Sequence, residues 1–326
     1  MDLDVVFLGT GGSVPTARRS TACLLARVGG ERLLFDCGEG SQRQMQRSTG
    51  LVQVDEIYVT HLHADHYLGI PGLLKTYDLQ GRERELRVIG PRGLGDLFRA
   101  LRRVFGRLGY EVELIEIAEG EAIRHDGWEV RSFPVEHRMR AHGYAVVEDE
   151  RPGRFDPVAA ERLGVAPGPD FSRLQAGQEV SGSDGVVRPE QVMGEPRLGR
   201  KVAITGDTAP CEMTRLAAHE ASLLVHDGSF ADEETARAAE TGHSTARQAA
   251  ELARDARVAM LALVHISSRY DVRSVLAEAR EALPGAIAPR DFDLVEVPFP
   301  ERGAPRLVEG GARRPRDGAA PEPTAA

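Results

Sequence analysis

Within Thr60-His61-Leu62-His63-Ala64-Asp65-His66 three imidazoles and a carboxylate stand close enough to share metal. Glu56-Ile57-Tyr58-Val59 just ahead is β-branched and aromatic, so it reads as a buried strand running into the cluster. Side chains two apart on a strand share a face, so His61 and His63 can reach one point together. Asp65 and His66 then fall on the turn into a helix and face a second point close by. Such a donor set suits a borderline-soft divalent ion, above all Zn²⁺. The bland alternative is four polar residues capping a helix, and each added histidine makes it less natural.

Further groups of the same chemistry sit at the ends of apolar runs. Trp128 to Pro134 reads as a strand that continues into Val135-Glu136-His137. Lys201-Val202-Ala203-Ile204 is a strand that delivers Asp207, and Leu223-Leu224-Val225 leads to His226-Asp227. Val258 to Val264 ends in His265. Active sites of sheet proteins gather at such strand ends. His243 stands just before a helix expected over Ala246 to Asp255, with Ser244 as its expected N-cap. Asp36 could orient a ligand histidine or simply cap the helix that follows it.

His61-x-His63-x-Asp65-His66 is the signature of the metallo-β-lactamase superfamily. Phe35-Asp36-Cys37-Gly38-Glu39-Gly40-Ser41-Gln42 before it and Gly69-Ile70-Pro71-Gly72-Leu73-Leu74 after it resemble the short bacterial form of tRNase Z (ribonuclease Z). The likeness runs from about Leu3 to Val297. It implies an α/β fold, a four-layer αββα sandwich with a protruding flexible arm. It implies two zinc ions per subunit, one held by His61, His63 and His137, the other by Asp65, His66 and His265, with Asp207 bridging. Asp65 would accept a proton from the attacking water, and His243, steadied by Asp227, would protonate the departing 3′-oxygen. The implied substrate is precursor tRNA, cut to leave a 3′-hydroxyl on the tRNA and a 5′-phosphate on the trailer. A homodimer is also implied, the arm of one subunit serving the other's site. Two positions depart from the family text. Ser20 follows Arg19 where the family has asparagine, and Asp227 in His226-Asp227-Gly228-Ser229-Phe230 replaces a glutamate. Arg19 itself could meet a phosphate.

The elements that must position these residues form a mixed α/β pattern over residues 1–300. It is interrupted at about 148–200 by a stretch rich in Gly, Pro and charge, with Pro167-Gly168-Pro169 near its middle. By position this is the family's tRNA-binding arm. From Glu301 to Ala326 the composition predicts a disordered tail. The three cysteines have no metal-ligand spacing, no apolar run approaches a membrane span, and Leu3 enters a strand with no basic leader, so a cytoplasmic protein is expected. Gly9-Thr10-Gly11-Gly12-Ser13 lacks the ending of a P-loop and the spacing of a dinucleotide fingerprint, so no nucleotide cofactor is expected. The net charge of −9 across 326 residues runs against a basic nucleic-acid footprint, and the arginine-rich face of the helix expected over Leu94 to Leu108 is one of the few positive stretches. Two rival readings stay open. One is a small-molecule metallohydrolase of the same fold (phosphodiesterase, arylsulfatase or lactonase), and the other is a metal-free RNA-binding scaffold.

Overall fold

The computed structural model describes residues 2–312. Its strands in chain order are β1 (Leu3–Gly9), β2 (Cys23–Val28), β3 (Glu31–Phe35), β4 (Glu56–Tyr58), β5 (Leu86–Gly90), β6 (Val112–Glu116), β7 (Ala122–His125) and β8 (Trp128–Pro134). They continue with β9 (His142–Glu148), β10 (Val180–Gly182), β11 (Gly185–Val187), β12 (Lys201–Ile204), β13 (Leu223–Asp227), β14 (Leu261–Val264), β15 (Leu294–Glu296) and β16 (Arg306–Val308). One sheet has eight strands in the order β16-β15-β1-β2-β3-β4-β5-β6, and another has six in the order β14-β13-β12-β9-β8-β7.

The central strands, such as β1, β2 and β13, read as near-continuous apolar runs because both faces are covered. In the first sheet Val6, Leu8, Leu34 and Ile57 face one cluster with Leu73, Leu74 and Phe98 of the helices Ile70–Leu79 and Leu94–Phe105. The alternate residues face the second sheet: Phe35 and Tyr58 stack at 5.1 Å, and Tyr144 of β9 meets Tyr58 edge-on at 5.1 Å. The Tyr144 hydroxyl donates to the Val59 carbonyl at 2.9 Å, which satisfies a polar group inside an aromatic layer. Helix Ala246–Asp255 packs on β13 and β14. The result is the α/β sandwich that the family resemblance implies.

Strand direction then places the site. β3 to β6 run parallel, and so do β12, β13 and β14. Their carboxyl ends therefore deliver the segments that follow them to common edges. The segment after β4 carries His61, His63, Asp65 and His66; after β12 comes Asp207, at the end of β13 Asp227, and after β14 His265.

The chain divides into two compact units. Val130–Val146, with the segments up to Arg124 and from Arg200 onward, forms one; His125–Glu129 and Val147–Gly199 form the other. The second corresponds to the stretch the sequence marked as an insertion, yet it has its own small core. Ala160, Val165, Leu174, Val180, Val187 and Val192 are buried together, and Phe155 meets Phe171 at 4.8 Å. Asp156 caps the helix Pro157–Arg162 by accepting from Val158 N and Ala159 N. The spacing of these small apolar residues is too irregular for a period to show.

Two expectations need correcting. The tail does not begin at Glu301: β16 pairs with β15, Gly310 N donates to Asp293 at 2.8 Å, and Ala312 is buried in the main cluster. A three-residue strand is too short to register against a Pro- and Gly-rich background. The rest of the expected tail, 313–326, lies outside the described residues. The N-cap of helix Ala246–Asp255 is Thr245, whose hydroxyl accepts from Gln248 N while the Gln248 side chain accepts from Thr245 N. Ser244 instead donates to the Thr208 carbonyl at 2.7 Å, anchoring the loop behind Asp207.

Candidate metal centre

The hydrogen bond at one nitrogen of each imidazole decides what the other nitrogen can do. His137 Nδ1 lies 2.8 Å from the Gly242 carbonyl, which can only accept, so Nδ1 carries the proton and Nε2 keeps its lone pair. The Thr60 hydroxyl contacts both Asp36 carboxylate oxygens, at 2.9 and 3.1 Å. It therefore donates to the carboxylate and accepts from His61 Nδ1 at 3.0 Å, which frees the His61 Nε2 lone pair. These two lone-pair nitrogens lie 2.9 Å (His61) and 3.3 Å (His137) from His63 Nδ1. Asp207 Oδ2 approaches His61 Nε2 at 3.7 Å. Four donors thus converge with nothing of their own between them.

The second set is arranged by the same logic. Asp36 Oδ2 accepts from His66 Nδ1 at 2.7 Å, leaving His66 Nε2 as a bare lone pair. That nitrogen faces Asp207 Oδ1 at 3.4 Å, and both atoms are buried without a hydrogen-bond partner. Two lone pairs facing each other in a dry site repel unless a cation lies between them. His265 Nε2 completes the set, 3.3 Å from Asp65 and 3.4 Å from Asp207. His61, His63, His137 and Asp207 are grouped as one candidate cation site and Asp65, His66 and His265 as another. Asp207 adjoins both. Nitrogen and oxygen donors with orphaned buried atoms fit a pair of divalent cations.

Electrostatics agree with neutral ligands at the first set. Burial, aided by the neighbouring His66, pushes His61 below the ordinary imidazole range; burial and His137 do the same for His63. Burial opposes ionisation of Asp65, but the neighbouring His265 and His66 overcome it and hold the carboxyl well below the usual range.

Two residues of the site hold strained backbone conformations. Asp36 and His265 have φ of 56° and 60°, left-handed values that non-glycine residues hold only when neighbours enforce them. Asp36 is fixed by its N–H to the Tyr58 carbonyl and by Thr60 N donating to its side chain. His265 is fixed by its N–H to Thr10 O, and Gly12 opposite has no room for a side chain, since a Cβ would sit 2.4 Å from the His265 carbonyl. Gly38 is equally constrained, with a Cβ placed 2.2 Å from the Asp65 carbonyl.

Beside the donors lies an acid–base pair. His243 Nδ1 is 2.7 Å from Asp227 Oδ2, so the aspartate reaches its partner despite lacking a methylene of the family's glutamate. Burial disfavours the imidazolium, yet the Asp227 charge and hydrogen bond outweigh it and push His243 up to about 9. The ring is thus protonated at neutral pH, and activity that requires this proton should fall as pH rises through about 9. Asp227→Asn removes the charge, so the alkaline limb of the kcat/KM profile should move down toward the ordinary imidazole value; an unmoved limb would detach it from His243.

All seven expected metal ligands and His243 with Asp227 come together. Arg19 does not stand apart as a free cation, because its Nη1 donates to Thr10 Oγ1 and to the Pro289 carbonyl at 2.8 Å. Sequence reading missed Ser229, which bridges Asp227 and His265, and Asp291, which accepts from Thr10, Ser20 and Gln44 and holds the loop behind His265. Neither has a motif; only the folded register brings them in.

Sandwich and donor sets together define a metallo-β-lactamase-fold protein. Over 91% of this chain and all of the other, the fold superposes on the metallo-β-lactamase fold protein YhfI from Bacillus subtilis (TM-score 0.67, 15% identity). A family model described as Anti-Pycsar protein Apyc1 matches residues 3–150. The chain is 50% identical to a ribonuclease Z of Haloferax volcanii over 92% of its length and 96% of that protein. It is 46% identical to one of Methanosarcina acetivorans over 91% of its length and 99% of the other. Human tRNase Z, short form (ELAC1), shares 27% identity and a TM-score of 0.64, covering 90% of this chain and 99% of that one. The chain belongs to the ribonuclease Z family.

Proposed function

We propose that this protein is a zinc-dependent endoribonuclease that removes the 3′ trailer from precursor tRNA. The observation that carries the reading is a pair of adjoining donor sets with Asp207 in contact with both, and His243 held by Asp227 beside them, on a chain of the ribonuclease Z family. His61, His63, His137 and Asp207 would hold one ion, and Asp65, His66, His265 and Asp207 the other. When bound, such ions polarise phosphoryl oxygens and make water acidic enough to attack at neutral pH.

The chain's own groups supply the proton traffic. Asp65, kept ionised, accepts the proton of the attacking water. His243 has its Nδ1–H engaged by Asp227, so Nε2–H donates to the departing 3′-oxygen. His63 is exposed while His61 and Asp207 are buried, so substrate approaches from the His63 side and the shared carboxylate stays dry. With water as nucleophile, no cyclic phosphate forms. Three free cysteines suit a reducing cytoplasm, and among the described residues no helix is long and apolar enough to cross a membrane. A homodimer is part of the same reading and rests on the family resemblance.

The test is cleavage of a precursor tRNA and, separately, of bis(p-nitrophenyl) phosphate, each with and without chelator. Chelator-sensitive cut at one position near the acceptor end supports the reading. Hydrolysis of the small ester without RNA cleavage would move the function to a small-molecule phosphodiesterase.

The unit of Val147–Gly199 is proposed to grip the tRNA body, supported by its separate core. Deleting 152–196 should cripple tRNA processing and spare the small ester. Loss of both activities together would make the unit structural.

A further inference from the structure

Ser229 is buried at the meeting point of the two halves of the site. Its hydroxyl oxygen lies 2.6 Å from Asp227 Oδ1, 2.8 Å from His265 Nδ1 and 3.0 Å from the His265 carbonyl. A hydroxyl has one proton to give. The 2.6 Å contact to a carboxylate, which only accepts, is the length of a charge-assisted O–H···O bond. Were the proton turned elsewhere, two oxygen lone pairs would face each other at that distance. The Ser229 proton therefore goes to Asp227, and its oxygen accepts from His265 Nδ1–H.

Ser13 N–H also faces His265 Nε2, at a long 3.3 Å, a contact that a cation on that nitrogen would displace. It is this atom that approaches Asp65 and Asp207. Asp227 in turn has its other oxygen on His243 and accepts from Thr208 N at 3.1 Å and Ser229 N at 2.8 Å, so the carboxylate cannot swing away.

We propose that Ser229 is a positioning residue: it fixes the Nδ1–H form of His265 and ties the cation site of Asp65, His66 and His265 to the His243–Asp227 pair through one hydroxyl. This rests on the two-cation reading above. Ser229 contacts none of His61, His63 or His137 in the hydrogen bonds described, so its influence falls on one cation site and spares the other.

The experiment is a zinc titration of chelator-stripped full-length protein against a chromophoric competitor, for wild type, Ser229→Ala and Ser229→Thr. Wild type should take up two equivalents. Ser229→Ala should weaken one of them about 10–100-fold, the usual effect of losing a partner that orients a ligand, and leave the other unchanged. Ser229→Thr keeps the hydroxyl and should restore the lost affinity. The stripped Ser229→Ala protein should still unfold in one cooperative transition, at a midpoint lowered by the partners left unsatisfied. Identical titrations for wild type and Ser229→Ala would overturn the proposal. So would equal weakening of both equivalents, or failure of threonine to restore. A wild type that binds no zinc would instead remove the two-cation reading itself.

Discussion

Asp207→Ala should lower kcat/KM for precursor tRNA by about 10³-fold or more, with bound metal falling below about one ion per chain. The carboxylate is buried between two donor sets, with Oδ1 facing His66 and Oδ2 facing His61 and His265. Its loss leaves His61, His63 and His137 with no anion to balance a divalent charge, and Asp65 as the one carboxylate of the other set. Metal at such a centre contributes several kcal/mol of transition-state charge stabilisation, and each 1.36 kcal/mol is tenfold in rate. The small phosphodiester should suffer equally, because the same centre serves both substrates. Metal content by mass spectrometry and turnover on both substrates check this. Full occupancy with unchanged turnover would remove Asp207 from the centre.

His243→Ala should behave differently. A positioned general acid contributes about 10²–10⁴-fold, and RNA cleavage should fall by that amount. Metal content should not change, since His243 Nδ1 is engaged by Asp227 at 2.7 Å and lies 4.0 Å from the nearest oxygen of Asp207. Hydrolysis of bis(p-nitrophenyl) phosphate should fall far less, because nitrophenolate leaves without being protonated. That split separates a proton donor from a ligand. Equal loss on both substrates, or loss of metal, would place His243 among the ligands instead.

The cluster from His61 to His66 was legible because its residues are adjacent in the chain, and the strands ahead of Asp207, Asp227 and His265 because apolar runs end abruptly in polar side chains. The partners that orient the ligands were harder. Asp36 could be read as a helix cap or an orienting acid, and only the 2.7 Å contact to His66 decides it. Ser229 and Asp291 act across separations of 36 and 281 residues, and no local pattern carries such a pairing. The unit of Val147–Gly199 hid its core for a related reason: its buried residues come from two short helices, a hairpin of three-residue strands and the loops between them, each below the length at which periodicity emerges.

The most direct measurement is end-group analysis of a precursor tRNA cut by the purified protein. A single cut at the acceptor end, leaving a 3′-hydroxyl on the tRNA and a 5′-phosphate on the trailer, is the predicted result. It follows from water attacking in line while His243 protonates the 3′-oxygen. A 2′,3′-cyclic phosphate would mean that the ribose 2′-oxygen is the nucleophile, and the proton roles given to Asp65 and His243 would be wrong.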